Sequence, residues 1–396
     1  MATEGRRRSA RLSATLRHDE RVAPLELFFD LVFVLAITQC TALMASQPTW
    51  EGVGRGLLVL GVLWWSWVGY AWLTSVVDPE EGAVRIVIFA AMAALLVVAL
   101  CVPEAFGDLA LTFAVGYGLV RAGHIALFLL ASRGDPALRH SVATLAASTA
   151  VGVGLLVGAA YLDGAAQGGM WGLALALDMA GPFFFGAEGW KLVPGHFAER
   201  HGLIIIIALG ESIVAVGAGS EVGVDAGVIV AAVLGIALAS AQWWAYFDVV
   251  AYVAARRLTA TPVGREQNEL ARDSYSYLHF PMVAGIVLVA LGMKKTIANV
   301  DDPLKTVAAF ALVGGLGIYL LAHVAFRFRN FRTVNKQRLI VGALLFALFP
   351  VTLELPALVA LALVTGLVCG MIAYEAIRFA EARAKVRHDV WAEPPS

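Results

Sequence analysis

Charged residues and cysteines are scarce in this sequence. Asp, Glu, Lys and Arg make up 15% of the 396 residues, whereas 60% are hydrophobic, and the mean hydropathy is +0.77. Soluble domains contain about a quarter charged residues and roughly half apolar ones. The composition therefore excludes soluble two-domain enzymes and nucleic-acid-binding proteins, so no nucleic acid is expected as a partner. The three cysteines, Cys40, Cys101 and Cys369, lie inside apolar runs, which excludes a disulfide framework and a CxxC metal site.

The sequence also lacks the alternating strands of about ten residues that build an outer-membrane β-barrel. It has instead apolar runs of about twenty residues, the length that a helix needs to cross roughly 30 Å of hydrocarbon. We therefore predict an all-α integral membrane protein with about 12 transmembrane helices and the lipid bilayer as its partner. The predicted spans are 24–45, 53–77, 84–103, 109–132, 139–161, 169–190, 201–219, 226–253, 274–296, 305–326, 338–354 and 357–379. The first of these runs is too long for a cleaved signal peptide, so the first helix is expected to stay in the mature protein.

The distribution of Lys and Arg predicts how the chain is oriented. With the N-terminus inside, the cytoplasmic segments hold 24 of the 29 Lys and Arg residues, the outer segments hold four, and Arg121 lies within a span. Cytoplasmic loops of membrane proteins carry such an excess. The sequence therefore predicts a multi-pass protein with both termini in the cytoplasm, and it leaves a homo-oligomer open.

Internal matches predict two six-helix repeats. The matched pairs are Glu20-Arg21 with Glu199-Arg200 and Trp64-Trp65 with Trp243-Trp244 at an offset of 179, and His124 with His323 and Arg139 with Arg338 at an offset of 199. The extra residues of the second half fall in the basic segment 254–272, which is predicted to be a loop. Because the repeat unit is six helices, the two copies have the same orientation, like the parallel repeats of some transporters. The chain then divides into a basic cytoplasmic tail (1–20), a first repeat (21–198), a second repeat (199–387) and a cytoplasmic C-terminal tail (388–396).

Polar and ionisable residues inside the predicted spans are the candidate functional residues. Each ionisable group costs a few kcal/mol at membrane depth unless it faces a bundle interior or water. We therefore expect an ion pathway or buried polar network near predicted helices 1, 4, 7 and 9. The candidates are Glu26, Asp30, Thr38, Arg121, His124, Asp178, His201, Glu211, Asp273, His279 and His323. The alternative is structural, because buried ion pairs and lone histidines also serve to fix helix register.

Two of these candidates share a helix face, and one needs a partner. Glu26 and Asp30 are four residues apart, which places both carboxylates on one side of the first helix. Arg121 lies near the middle of its span and must pair with an acid. The available acids are Glu26, Asp30, Asp178 and Glu211, of which we expect Asp30 or Glu211. The sequence contains no nucleophile elbow, HExxH motif, phosphate loop or Rossmann glycine pattern. We therefore expect no enzymatic activity, no cofactor and no metal site.

Three stretches carry a resemblance to a known family. They are Arg21–Gln39, which reads RVAPLELFFDLVFVLAITQ, Glu199–Ser212 and Arg272–His279. Together they strongly resemble the bacterial low temperature requirement protein A family, and the resemblance extends over nearly the whole chain. It implies a polytopic protein of the bacterial cytoplasmic (inner) membrane that is associated with growth in the cold, and it implies no particular reaction.

The first helix is also similar to the opening helix of six-helix-repeat potassium channels that carry a Phe-Ser-Asp signature. The similarity rests on Glu26, Phe29, Asp30, Phe33, Ala36, Ile37 and Thr38. It implies a hydrophobic constriction of a pore at Leu35 and a polar layer at Thr38. Phe29 stands in the place of the signature serine and Pro24 in that of the signature arginine, so shared ancestry without conduction stays open.

The sequence therefore leaves two hypotheses of different kinds. The first is a small-ion channel or transporter with a polar path near helices 1, 4, 7 and 9. The second is a non-transport membrane stress or assembly factor, in which the buried charges only lock the bundle. A continuous wet route that touches those helices would favour the first hypothesis, whereas isolated ion pairs in dry packing would favour the second.

Overall fold

A computed structural model gives the fold of residues 21–184, 190–219, 223 and 225–392, and this part of the chain is helical. The helices are α1 Pro24–Ser46, α2 Trp50–Val76, α3 Gly82–Cys101, α4 Ala110–Ala131, α5 Pro136–Ala159, α6 Gly164–Phe184, α7 Pro194–Gly219, α8 Ala226–Phe247, α9 Val250–Thr259, α10 Arg265–Ala271, α11 His279–Ala298, α12 Thr306–Phe331, α13 Lys336–Thr352, α14 Ala357–Arg378 and α15 Ala380–Ala392. A π-helical segment, Arg272–Tyr277, joins α10 to α11. The predicted tail 1–20 lies outside the described residues, and the predicted C-terminal tail begins within α15.

Ten segments of the described chain are long and apolar enough to cross a membrane. They are α1 to α5, α7, α12 and α14, together with α8 continuing into α9 and α10 continuing into α11. The prediction of an all-α integral membrane protein is therefore confirmed. Helices α6 and α13, of 21 and 17 residues, cover two further predicted spans, and the number of 12 crossings stays a prediction.

The structure corrects two predicted boundaries. Helix α7 begins at Pro194 rather than at residue 201, because the fixed φ of proline suits the first turn of a helix. The basic segment 254–272 is largely helical, as α9, α10 and the start of the π-helical segment, and not a loop. Helix α9 is amphipathic, since Leu258 is buried whereas Arg257 is exposed. An amphipathic helix carries its charged residues on one face. Its overall charge content can therefore equal that of a loop, and charge content alone does not distinguish the two.

Helix α11 lies at the centre of the bundle. It packs most extensively against α12 and α7, and it also touches α1, α2, α8 and α14. Glycines bring α11 and α12 close together: a Cβ on Gly292 would lie 2.6 Å from the backbone nitrogen of Leu312, and a Cβ on Gly315 would lie 2.8 Å from the carbonyl oxygen of Gly285. Small residues allow membrane helices to approach in this way, and these glycines set the separation of α11 and α12.

Candidate functional site

Two carboxylates on α1 meet an arginine and a histidine on α7 in a buried cluster. Arg200 Nη2 lies 2.9 Å from Asp30 Oδ1, and its Nη1 lies 3.6 Å from Glu26 Oε1. His196 Nε2 lies 2.9 Å from the same Glu26 oxygen, and Trp67 on α2 donates from Nε1 to Asp30 Oδ1 at 2.9 Å. We call these five residues the α1–α7 cluster. All are at most 2% exposed, so their ion pairs are desolvated and tie α1 to α7.

Only the acidic half of the α1–α7 cluster could be predicted from the sequence. Glu26 and Asp30 share a helix face, as their spacing predicts. Their cationic partners could not be predicted. Predicted span 7 begins one residue after Arg200, and no sequence pattern indicates a role for His196. The doublet Glu199-Arg200, which matches Glu20-Arg21 at an offset of 179 residues, is the one signal that points to Arg200.

The buried arginine of α4 pairs with a carboxylate of α6. Arg121 Nη2 lies 3.1 Å from Asp178 Oδ1 and donates to Thr149 Oγ1 on α5 at 2.6 Å. The expectation that Arg121 pairs with a membrane-depth carboxylate is confirmed, but the expected partners Asp30 and Glu211 are wrong. The reason is tertiary, because α7 supplies the cation for Asp30 and α1 supplies the donor for Glu211.

Asp178 is held by three donors from two other helices. Besides Arg121, Tyr117 on α4 donates to its Oδ2 at 3.1 Å, and Thr149 donates to its Oδ1 at 3.3 Å. Arg121 Nη1 also donates to the carbonyl of Trp65 on α2 at 3.3 Å. Because each partner comes from within the bundle, this network binds α2, α4, α5 and α6 together and satisfies Asp178.

His124 lies on the same face of α4 as Arg121, as the sequence predicts, but in an aromatic setting. Its ring centroid is 5.6 Å from that of Tyr70 and 5.0 Å from that of Phe128. The ring covers Gly69, where a Cβ would lie 2.9 Å from His124 Cε1. Among the described residues, neither ring nitrogen of His124 meets a partner with hydrogen-bond geometry. The imidazole is therefore surrounded by aromatic rings and by the backbone of Gly69.

Glu211 and Thr38 form a separate contact further along α1 and α7. Thr38 Oγ1 donates to Glu211 Oε2 at 2.6 Å. Between this contact and the α1–α7 cluster the two helices carry apolar side chains that are at most 3% exposed, namely Phe33, Ala36, Ile37, Ile204, Ile205 and Ala208. Glu211 follows Arg200 of the cluster by eleven residues, which correspond to about 16 Å of helix. A dry apolar layer therefore separates the two polar sites. Leu35 is half-buried and packs against the core.

The predicted histidines of the second half meet in one group with two tyrosines. The ring centroids of His201 and His279 are 5.2 Å apart, and His279 Nε2 lies 2.8 Å from the hydroxyl of Tyr246 on α8. The ring of Tyr275 stacks on that of His279 at 5.1 Å. His323 on α12 lies 6.0 Å from the ring of Tyr246. The structure thus brings three predicted site residues together.

At its α12 end this group meets an ion pair that the sequence did not reveal. His323 Nδ1 lies 3.1 Å from Arg338 Nη1, and Arg338 Nη2 lies 2.9 Å from Glu375 Oε2. Arg338 is buried, whereas Arg139, its match at the offset of 199 residues, is exposed. The pair ties α13 to α14 at the ends that are predicted to be cytoplasmic.

Asp273 lies in the π-helical segment between two arginines. Arg272 Nη2 is 2.8 Å from Asp273 Oδ1, and Arg329 Nε on α12 donates to Asp273 Oδ2 at 2.9 Å. One carboxylate therefore balances two guanidinium groups. Tyr277, at the other end of the segment, donates its hydroxyl to the carbonyl of Met179 on α6. These contacts fix the π-helical segment against α6 and α12.

A cavity that is partly open to solvent lies between the first half of the bundle and the π-helical segment. Its wall is mostly apolar, and its lining residues are Trp65, Gly69, Trp72, Arg121, His124, Phe128, Ser141, Leu145, Gly181, Pro182, Trp190, Asn268, Arg272 and Ser276. They come from α2, α4, α5, α6, α10, the π-helical segment and the chain before α7. The cavity therefore touches predicted helices 4 and 9 and does not touch helices 1 and 7.

The chemistry that this wall offers is electrostatic and aromatic. Two guanidinium groups and an imidazole face a space that is otherwise bounded by aromatic and aliphatic side chains. Within the described residues, no group of three or more His, Cys, Asp or Glu side chains is arranged to hold a metal ion. What the wall can do is bind and orient a charged molecule of moderate size.

Comparison with known proteins identifies the family. The family described as bacterial low temperature requirement A protein (LtrA) matches residues 21–373. An uncharacterized protein of Rhizobium meliloti (strain 1021) is 28% identical over 306 residues, which cover 74% of this chain and 74% of the relative. No solved structure matches the chain. Since the match begins at the motif of α1 and extends through nearly all of α14, the chain belongs to the bacterial low temperature requirement A family.

Proposed function

We propose that this protein carries a small ion across the membrane and binds it in the cavity. The observation that carries the proposal is the meeting of two irregular helices at the cavity wall. Pro182 lies inside α6, the π-helical segment precedes α11, and Arg272 Nη1 donates to the Pro182 carbonyl at 3.2 Å. π-Helical turns occur frequently at functional sites, and interrupted helices form the ion and substrate sites of many transporters.

The two-repeat layout would place this cavity between the halves of the molecule. With repeats at 21–198 and 199–387, α6 ends the first half and the π-helical segment belongs to the second. The helix contacts support this layout. The pairs α1–α3, α2–α6, α3–α4 and α4–α5 correspond to the pairs α7–α11, α8–α14, α11–α12 and α12–α13. A binding site at the junction of two such repeats is the usual arrangement in repeat-built transporters.

A carrier fits the packing of α1 and α7 better than an open channel does. Conduction through a pore needs a continuous route of polar groups or water. Here the dry apolar layer separates the α1–α7 cluster from the contact between Glu211 and Thr38. In this conformation an ion cannot pass until the helices rearrange, as alternating access requires. The same layer includes neighbours of Leu35, where the resemblance to potassium channels implies a constriction.

The proposal also assigns a location to the protein. We propose the bacterial inner membrane with both termini in the cytoplasm, which the excess of Lys and Arg in alternate segments supports. We assign no enzymatic activity and no cofactor. The family description supports a role in growth in the cold, which transport of an ion across a stiffened membrane would serve.

A non-transport stress or assembly factor is the second candidate. The network around Asp178 favours it, because every donor to that carboxylate comes from the bundle itself. Charges that satisfy each other in this way can serve helix register alone. Under this reading the cavity would be a packing defect, and removing a charge would change stability without changing any flux.

The amide substitutions Asp30→Asn and Glu211→Gln separate the two candidates. They keep the shape of the side chains but remove the charges of α1 and α7 on either side of the dry layer. The parent protein, reconstituted in liposomes, is expected to move at least one ion in a panel of flux assays. We expect each variant to lower that flux about tenfold or more. Each acid makes a contact between α1 and α7 worth roughly 1.5–3 kcal/mol, and the proposed carrier moves these two helices against each other.

Asp108→Asn is the matched control, because Asp108 is an exposed acid before α4. It should leave the flux unchanged. If the parent moves no ion in the panel, or if both folded amide variants retain full flux and complement cold growth, the transport proposal fails. The register-locking role would then be the better one.

A further inference from the structure

The cavity combines positive charge with aromatic surface. We infer that it binds an amphipathic organic anion, a carboxylate attached to an aromatic body. This inference rests on the proposed function only in treating the bound ion as cargo. The binding itself can be tested without transport.

The charges at the cavity wall are unequal. Arg121 and Arg272 line the cavity, whereas their acidic partners Asp178 and Asp273 are not among its lining residues. Asp273 is moreover shared with Arg329, so that it neutralises Arg272 only in part. Among the described residues, two guanidinium groups and no carboxylate line the cavity. The wall therefore selects against cations and in favour of anions.

The wall of the cavity includes an N–H donor that meets no acceptor in the described part of the chain. Arg121 is 1% exposed, and its Nε has no hydrogen-bond partner among the described residues. His124, which is 2% exposed, also lines the cavity. A buried donor without a partner costs free energy, and a bound carboxylate would supply the missing acceptor. Arginine suits this role because its planar fork matches a carboxylate.

The rest of the wall fits an aromatic body. Trp72 and Trp190 lie with ring centroids 6.0 Å apart, and Phe128 lies 5.0 Å from Trp190. Trp65 adds a fourth ring to the lining. Such surfaces bind aromatic groups through offset and edge-to-face contacts. Chloride or inorganic phosphate would leave these rings without contact.

Binding of 4-phenylbutyrate to the detergent-purified full chain tests the inference. Isothermal titration calorimetry should show saturable binding, with 4-phenylbutyramide bound at least about tenfold more weakly because it lacks the charge. Octanoate tests whether a fatty acid from the membrane is the better ligand. If the amide binds as tightly as the acid, or if octanoate binds more tightly than 4-phenylbutyrate, the inference is wrong.

Two variants of different kinds test the location. Arg272→Gln removes charge, and Leu145→Trp fills the cavity from α5 without touching a charge. Each should weaken binding of 4-phenylbutyrate about tenfold or more. Arg257→Gln, an exposed arginine of α9, and Val151→Trp, at a 53% exposed position of α5, are the matched controls and should bind normally. Normal binding by both cavity variants would place the ligand elsewhere.

The two proposals fail in different ways. If 4-phenylbutyrate does not bind but another ion is moved in liposomes, the inferred ligand is wrong and the carrier stands. If 4-phenylbutyrate binds as expected but no flux is found, the ligand class stands and the carrier fails.

Discussion

Every arginine that is buried in the described part of the chain has a carboxylate on another element. The pairs are Arg121 with Asp178, Arg200 with Asp30, Arg338 with Glu375 and Arg383 with Asp248. A guanidinium group that is shielded from water cannot be compensated by solvent, so removing one partner leaves an uncompensated buried charge. The pairs thus specify which helices meet, even where replacing both partners would cost little.

Arg121→Gln is expected to lower the free energy of unfolding by about 3–5 kcal/mol. The loss arises because Asp178 would keep its charge and its burial without the cation. Chemical unfolding of the detergent-extracted protein measures the change. The double variant Arg121→Met with Asp178→Leu should recover most of the loss, because apolar replacement of a whole buried pair is often neutral.

Arg265→Gln is the control for this pair. Arg265 Nε lies 2.8 Å from Glu269 Oε1, but the two side chains are 72% and 33% exposed. An exposed pair contributes at most about 1 kcal/mol, so this variant should unfold like the parent. An Arg121→Gln protein with parental stability would mean that the buried pair adds nothing.

At the scale of elements, the close approach of α11 and α12 depends on glycine. Gly315→Ala should cost about 1–3 kcal/mol, the usual cost of overpacking, because the new methyl group would meet the Gly285 carbonyl at 2.8 Å and Leu288 Cβ at 2.9 Å. Unfolding of the variant in detergent provides the measurement. The two helices would have to separate, and α11 would shift against its other neighbours.

Gly370→Ala on α14 is the matched substitution. A Cβ there meets nothing within 4 Å, and alanine favours a helix over glycine by up to about 1 kcal/mol. The stability of this variant should be unchanged or slightly raised. Equal effects at both positions would mean that close packing is not what glycine provides in α12.

Most elements could be predicted from the length of the apolar runs, but their ends could not. Pro194 starts α7 seven residues before the predicted span, because turn-like composition and a favourable first helical turn look the same in sequence. The π-helical segment is a further case. Its backbone geometry is held by Asp273 between two arginines and by Tyr277 against α6, contacts that no local pattern contains.

For the whole molecule, the Lys and Arg distribution predicts that both ends of the chain face the cytoplasm. A fluorescent protein fused to the C-terminus should fluoresce in cells, and alkaline phosphatase at the same place should be inactive. Alkaline phosphatase inserted after Asn299, between α11 and α12, should be active. Active phosphatase at the C-terminus would overturn both the topology and the even number of crossings.

The candidate site could be predicted in its parts but not in its assembly. Membrane depth and charge pointed to Asp30, Arg121, Asp178 and the histidines, because a buried ionisable group is unusual in any helix. Which of them meet is decided by helix neighbours that are far apart in the chain. The cavity is harder still, since its wall gathers side chains from seven segments, and the aromatic residues that shape it look in sequence like an interfacial belt.

The α1–α7 cluster also bears on how the molecule evolved. At the offset of 179 residues, Ile205 and Leu209 stand where the first half has Glu26 and Asp30, while Arg200 stands where the first half has Arg21. If the halves arose by duplication, the second copy kept the cation and lost both acids. On that account, Arg200 of the second half depends on Glu26 and Asp30 of the first half for its counter-charge.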